Sequence, residues 1–306
     1  MFEYIIFLYH AFKDYCADWY EKYNNKIVYN LPFDILEIEN DDNFKKFKNS
    51  DACINKLIFA LNNLPDILHR LIFKNSNVSD ELFQINIKNS DNQIFEMCNT
   101  LDNINNFIIN NKLRYIYIRI NILKNQKKGM NHVNCIIIDK YLKYILFFEP
   151  KVNLEYNPDT IITILNKYMD TSDYEILQPT EIGYHSYNKL QTYDAFCQTY
   201  VLFAYHLITL NDTIEPTSFS NMLNLLITPK FLGYYLFYIN QLLESNNFEI
   251  PNQEKIWSFP TNKTRGILNI FNFMFNNTNN TINIDSDKII VNEDDDIIIV
   301  NNIDDF

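Results

Sequence analysis

Residues 113–150 read LRYIYIRINILKNQKKGMNHVNCIIIDKYLKYILFFEP, and their periodicity decides the fold. Tyr115, Tyr117, Arg119 and Asn121 alternate with Ile116, Ile118, Ile120 and Ile122. A period of two sends successive side chains to opposite faces, the mark of a strand. A loop carrying Gly129 follows. His132–Asp139 (HVNCIIID) is then a second strand and Lys143–Glu149 (KYILFFE) a third. With Asp139–Leu142 as the tight turn between them, His132 stands directly across from Glu149. A slip of one residue in the turn leaves the two as neighbours or on a diagonal.

Upstream, residues 1–112 read as a mostly helical region. Apolar residues from Phe2 to Tyr23 fall at helical spacing, Ser50 and Asp51 suit a helix start, and Pro65 suits the first turn of another helix. Downstream, Pro158 and Asp159 open a helix, Tyr174–Leu177 is a short strand, and a loop from Thr180 to Asp194 leads into an apolar helix over Ala195–Leu210. Further helices are expected at 217–227 and 230–245. The domain reading is therefore a helical region over 1–112, a catalytic-type domain over 113–274, and an acidic Asn/Asp/Ile-rich tail over 275–306, expected to be disordered.

Composition narrows the function. Hydrophobic residues make up 47% of the 306 positions, enough to bury a sizeable core. The formal net charge is −12, with Lys and Arg thinly spread, so a phosphate-binding surface and nucleic-acid partners are not expected. The apolar N-terminus is short and lacks a basic leader, which argues against a signal peptide or a membrane partner. Five cysteines without CxxC spacing point to a reducing compartment and not to a disulfide framework. No metal and no cofactor is expected: His132 and Cys135 fall on opposite faces of a strand, and no further ligands accompany them.

Chemistry is proposed by four residues in the order His132, Glu149, Gln191, Cys197. Cys197 falls in the first turn of its helix, with Asp194 as N-cap, where the helix dipole favours a thiolate. A protonated His132 beside it makes a thiolate–imidazolium pair, and Glu149 holds the imidazole in one tautomer. The Cys197 N–H and the Gln191 amide suit a developing oxyanion. His185 is a fallback base. His10, His69 and His206 sit within helical patterns and read as structural.

This arrangement resembles the adenain-like and SUMO/ubiquitin-like-protein proteases of clan CE, which share the order His, Asp or Glu, Gln, Cys. The stretches YIYIRINIL, NHVNCIIID, FFEP and YDAFCQTYVLFAYHLITLN are also similar to thiol-protease-like proteins of large DNA viruses. The likeness spans roughly residues 113–230. It implies an α+β fold with a papain-like clan CE core, in which a mixed sheet bearing His132 and Glu149 packs against the nucleophile helix. It also implies hydrolysis of peptide or isopeptide bonds in a protein substrate, either a viral precursor or a ubiquitin- or SUMO-like conjugate, in the host cytoplasm or the virion. Val133 and Gln198 depart from the pattern, which often has an aromatic residue after the His and a small residue after the Cys. The first bears on how the His is packed, the second on access to the thiolate. A catalytically inactive protease fold, serving as a binding or virion structural protein, is the alternative.

In the tail, Ile289–Val291 and Ile297–Val300 flank the acidic run Glu293–Asp296. A short β-branched run beside acidic residues resembles a SUMO-interacting motif, which adds a strand to a partner's sheet. The alternatives are a biased low-complexity tail or a hairpin on the protein's own sheet.

Overall fold

A computed structural model describes residues 27–74, 76–79, 81–90, 93–98, 101–109, 112–124, 131–150, 157–177, 197–248, 288–291 and 297–299. In chain order these form β1 (Ile27–Asn30), α1 (Ile35–Asn40), α2 (Asp42–Phe47), α3 (Asp51–Asn63), α4 (Pro65–Phe73), β2 (Phe83–Ser90), β3 (Gln93–Cys98), a short 3-10 turn (Leu101–Asn103) and α5 (Ile104–Ile109). Then come β4 (Tyr115–Lys124), β5 (Asn131–Asp139), β6 (Tyr144–Phe148), α6 (Pro158–Leu165), β7 (Glu175–Leu177), α7 (Cys197–Leu210), α8 (Phe219–Leu226), α9 (Pro229–Ser245), β8 (Lys288–Val291) and β9 (Ile297–Ile299). The chain divides into two compact units, residues 41–278 and residues 1–40 with 279–306.

Several helix starts follow directly from sequence. The Ser50 hydroxyl accepts from the Cys53 N–H at 3.3 Å and caps α3, which leaves one fewer backbone donor without a partner at that end. Asn157 caps α6 through the Asp159 N–H at 2.9 Å, with Pro158 in the first turn, and Thr228 does the same for α9. The expected helix over Phe2–Tyr23 lies outside the described residues.

The larger unit is a mixed α/β structure built on a six-stranded mixed sheet, ordered β3-β2-β4-β5-β6-β7. β2 runs parallel to β4 and β6 parallel to β7, while β5 runs antiparallel to both of its neighbours, β4 and β6. One face is dry. Ile116, Ile118, Ile120 and Ile122 of β4 join Ile136 and Ile138 of β5 and Ile145 and Phe147 of β6 there, covered by Ile161, Ile164 and Leu165 of α6. Burying each such side chain is worth about 1.5–3 kcal/mol, so this face carries much of the stability.

The opposite face meets α7. Every residue of α7 from Cys197 to Ile208 is buried, as expected of a helix that is apolar all round. Tyr205 stacks on Tyr117 of β4 at 4.5 Å between ring centroids, and Phe73 of α4 meets Tyr205 edge-on at 4.8 Å. α3 and α9 also lie against α7.

Three expectations change. Residues 1–112 are not a separate helical region, because β2 and β3 belong to the same sheet as β4–β6 and α3 and α4 to the same unit. The alternation Phe83-Gln84-Ile85-Asn86-Ile87 carried that signal, and Phe83, Ile85 and Ile87 are fully buried in the dry face. Second, the two β-branched runs of the tail are paired strands. In the smaller unit β8 pairs with β1 (Ile27↔Val291) and with β9 (Ile290↔Ile298), in the order β1-β8-β9. Third, β6 begins at Tyr144, one residue later than the tight turn implied. Asp139 accepts from the N–H groups of Tyr141 and Leu142 at 2.9 and 3.1 Å, and Lys143 takes φ 59°, so the turn spans Lys140–Lys143. The ladder then pairs Asp139 with Tyr144 and Cys135 with Phe148.

Candidate active site

That register shifts the β5–β6 pairing by two residues. Asn134, not His132, comes level with Glu149, and His132 lies diagonally one step on. A shift of two preserves the face of each side chain, so the pair still meets. His132 Nε2–H donates to Glu149 Oε1 at 2.6 Å. His132 is 3% exposed and Glu149 1%. The carboxylate as acceptor fixes the proton on Nε2, leaving the Nδ1 lone pair in the neutral tautomer. Nδ1 is buried and meets no nitrogen or oxygen partner among the described residues.

The remaining neighbour that acts on the ring is the Cys197 thiol. Burial works to push His132 down. Hydrogen bonding with Cys197 and with Glu149, and the negative charge of both, override it and hold the imidazole up to about 9. Near neutral pH the ring is then predominantly the imidazolium, the state that pairs with a thiolate. Cys197 is the first residue of α7 and 7% exposed.

Two polar residues, one on β4 and one in the first turn of α7, complete the surroundings. Arg119 of β4 is 5% exposed, as is Gln198, the residue after Cys197. With its amide oxygen turned to the guanidinium, Gln198 accepts from Arg119 Nε at 3.3 Å and from Nη2. Burial pulls Arg119 below the usual guanidinium range. Next to it, Asn121 donates to Gln84 Oε1 at 3.1 Å and to Asn86 Oδ1 at 2.8 Å, and Gln84 donates to Asp66 at 3.3 Å.

Of the residues singled out by sequence, His132, Glu149 and Cys197 therefore converge. Gln191, the Asp194 cap and His185 lie outside the described residues. His69 and His206 are packed in the core: His69 Nε2 is 2.7 Å from the Ser79 carbonyl, and burial pushes His206 down to about 3. His10 lies outside the described residues. Among the described residues no three of His, Cys, Asp or Glu gather as a metal would require.

Arg119 was not singled out by sequence. A charged residue in a strand alternation ordinarily faces water, and nothing local marks this one as different. The available signal was non-local: a helix as apolar all round as Cys197–Ile208 must be covered on every side, which buries the Tyr115-Tyr117-Arg119-Asn121 face as well as the isoleucine face.

Comparison with protein-family models, with curated proteins and with solved structures returns no match.

Proposed function

We propose that the protein is a cysteine protease with a papain-like, clan CE type of core, hydrolysing peptide or isopeptide bonds in a protein substrate. The observation that carries this reading is the 2.6 Å His132–Glu149 hydrogen bond on an imidazole that also interacts with Cys197. A carboxylate, an oriented imidazole and a thiol at a helix start are the parts of an activated sulfur nucleophile.

The chemistry follows from those parts. The Cys197 thiolate attacks the scissile carbonyl carbon, forming a C–S bond, and the carbonyl electron pair moves to oxygen. The Cys197 backbone N–H, with Gln191 as the second donor, receives that oxyanion. The imidazolium of His132 gives its proton to the leaving amine as the C–N bond breaks, leaving a thioester. Neutral His132 then takes a proton from water, whose oxygen attacks the thioester. The C–S bond breaks, the acid leaves, and the released Cys197 thiolate beside His132, which keeps the proton taken from water, restores the starting pair. Glu149 stays ionised throughout and keeps the ring aimed. Precursor proteins of a virus or ubiquitin-like conjugates fit as substrates.

A second reading is an inactive protease fold with a binding or structural role. The 7% exposure of Cys197 favours it, because a nucleophile must meet its substrate. The experiment that separates the two is cleavage of a denatured proteome, read by mass spectrometry of new N-termini, comparing wild type with Cys197→Ala. New termini that vanish in the variant support the protease. Identical patterns from both proteins contradict it. A ubiquitin- or SUMO-type electrophilic probe then assigns the substrate class.

A further inference from the structure

The pairing of Arg119 with Gln198 lies where a buried charge needs a reason. Arg119 is 5% exposed on β4, and among the described residues no carboxylate forms an ion pair with it. Its hydrogen-bond partner among the described residues is the neutral amide of Gln198. Desolvating a cation costs several kcal/mol and is tolerated when an anion or a full set of acceptors compensates. A neutral amide satisfies part of the fork and none of the charge.

The surroundings say which anion is at hand. Gln198 is the residue next to Cys197, so the amide that grips the guanidinium is fixed to the nucleophile's own backbone. Leu202, one turn further along α7, lines a small cavity together with Arg119, Gln198, Tyr117 and His69. Tyr205 continues the same helix onto Tyr117. α7 thus crosses β4 with its first turn over Arg119. Arg119 is thus bonded to the residue that follows Cys197 in the same helical turn, and the other nearby acid, Asp66, is exposed and accepts from Gln84.

We propose that Arg119 is a positioning residue for the Cys197 thiolate, a second fixed cation besides His132, and that Gln198 is the clamp that holds it there. This rests on the protease reading above. It gives Gln198 a purpose: a small residue after the cysteine would leave the guanidinium without its anchor. It also makes the site less dependent on His132, since Arg119 keeps its charge at every working pH.

The test is the pH profile of Cys197 alkylation by iodoacetamide on the full chain, followed by peptide mass spectrometry. This reads the thiolate directly and needs no substrate. Arg119→Met removes the charge and keeps the length. It is expected to raise the midpoint by about one unit, which is roughly tenfold slower alkylation near pH 7. Arg119→Lys keeps the charge and stays near wild type. Gln198→Met leaves the cation but frees it, and shifts the midpoint up by a smaller step. Circular dichroism and the melting temperature of each variant establish that it is folded before its midpoint is read. A midpoint unchanged in whichever of Arg119→Met and Gln198→Met folds overturns the proposal, as does a loss in Arg119→Lys equal to that in Arg119→Met. Failure of the protease reading looks different: wild-type Cys197 would itself titrate like an ordinary thiol, near pH 8.5.

Discussion

The β5–β6 hairpin carries a buried ion pair at each end, and the two are built to opposite purposes. At the turn, Arg114 grips Asp139 through Nη2 at 2.8 Å and Nε at 3.1 Å, and its Nη1 donates to the Asp212 carbonyl at 2.7 Å. The other Asp139 oxygen accepts from two turn N–H groups. At the open end, His132 and Glu149 share one 2.6 Å bond, and the second ring nitrogen meets no nitrogen or oxygen partner among the described residues. The first pair is saturated and closes a turn. The second keeps a nitrogen in reserve beside a thiol. Saturation makes a staple; an unspent donor–acceptor site, held rigidly, makes chemistry possible.

Substitutions at the open end should show the largest effects. Cys197→Ala is expected to remove proteolysis entirely in a cleavage assay while leaving the fold intact by circular dichroism. His132→Gln should lower the rate by roughly 10²–10⁴-fold, the range for a lost general acid–base, in protein that circular dichroism shows to be folded. A His132→Gln variant of wild-type activity would remove the contrast between the two ends.

At the turn the balance reverses. Asp139→Ala strands a largely buried Arg114 and uncaps the turn, at a cost of about 3 kcal/mol. Chemical denaturation should record that loss, while the alkylation rate of Cys197 in the folded variant stays at the wild-type value. If the rate falls in step with stability, the two ends are not independent.

Titration separates the ends further. His132 is raised above its unfolded value of about 6.5, to about 9. Its contribution to stability is therefore fully present below pH 6.5 and is lost as pH rises from there through 9. Denaturation midpoints should decline across that window in wild type and decline less steeply in Glu149→Gln, where Cys197 alone still holds the ring up. A smaller effect belongs to Lys143, whose φ of 59° is the left-handed region that costs a side-chain-bearing residue about 1 kcal/mol. Lys143→Gly relieves it, offset in part by unfolded-state entropy, so a stabilisation of a few tenths of a kcal/mol is expected.

Much of this was legible in the sequence. The alternation over 115–122 and the runs His132–Asp139 and Lys143–Glu149 gave three adjacent strands, and the Ser50 and Pro158 signals gave helix starts, because these depend on neighbours a few residues apart. The meeting of His132 and Glu149 survived a register difference because a two-residue shift keeps both on their faces. What stayed hidden depends on distant contacts. The turn's length was set by Asp139, whose oxygens answer both to Arg114 and to the turn N–H groups. β2 and β3 were masked by polar and Asn-rich surroundings, and β2 is fixed by a parallel partner, β4, whose pairing starts at Phe83↔Ile118. Arg119 looked like a solvent residue until the apolar girth of α7 covered it.

The most direct measurement of the central claim uses the protein's own cysteines as controls. Cys53 is exposed, whereas Cys197 and Cys135 are buried. Limiting iodoacetamide at pH 6, with labelled peptides quantified by mass spectrometry, ranks them by thiolate content and access. An activated site predicts that Cys197 is modified ahead of Cys53 in spite of its burial, with Cys135 last, and that this lead disappears in His132→Gln. Cys53 reacting first, with Cys197 as inert as Cys135, would contradict the account.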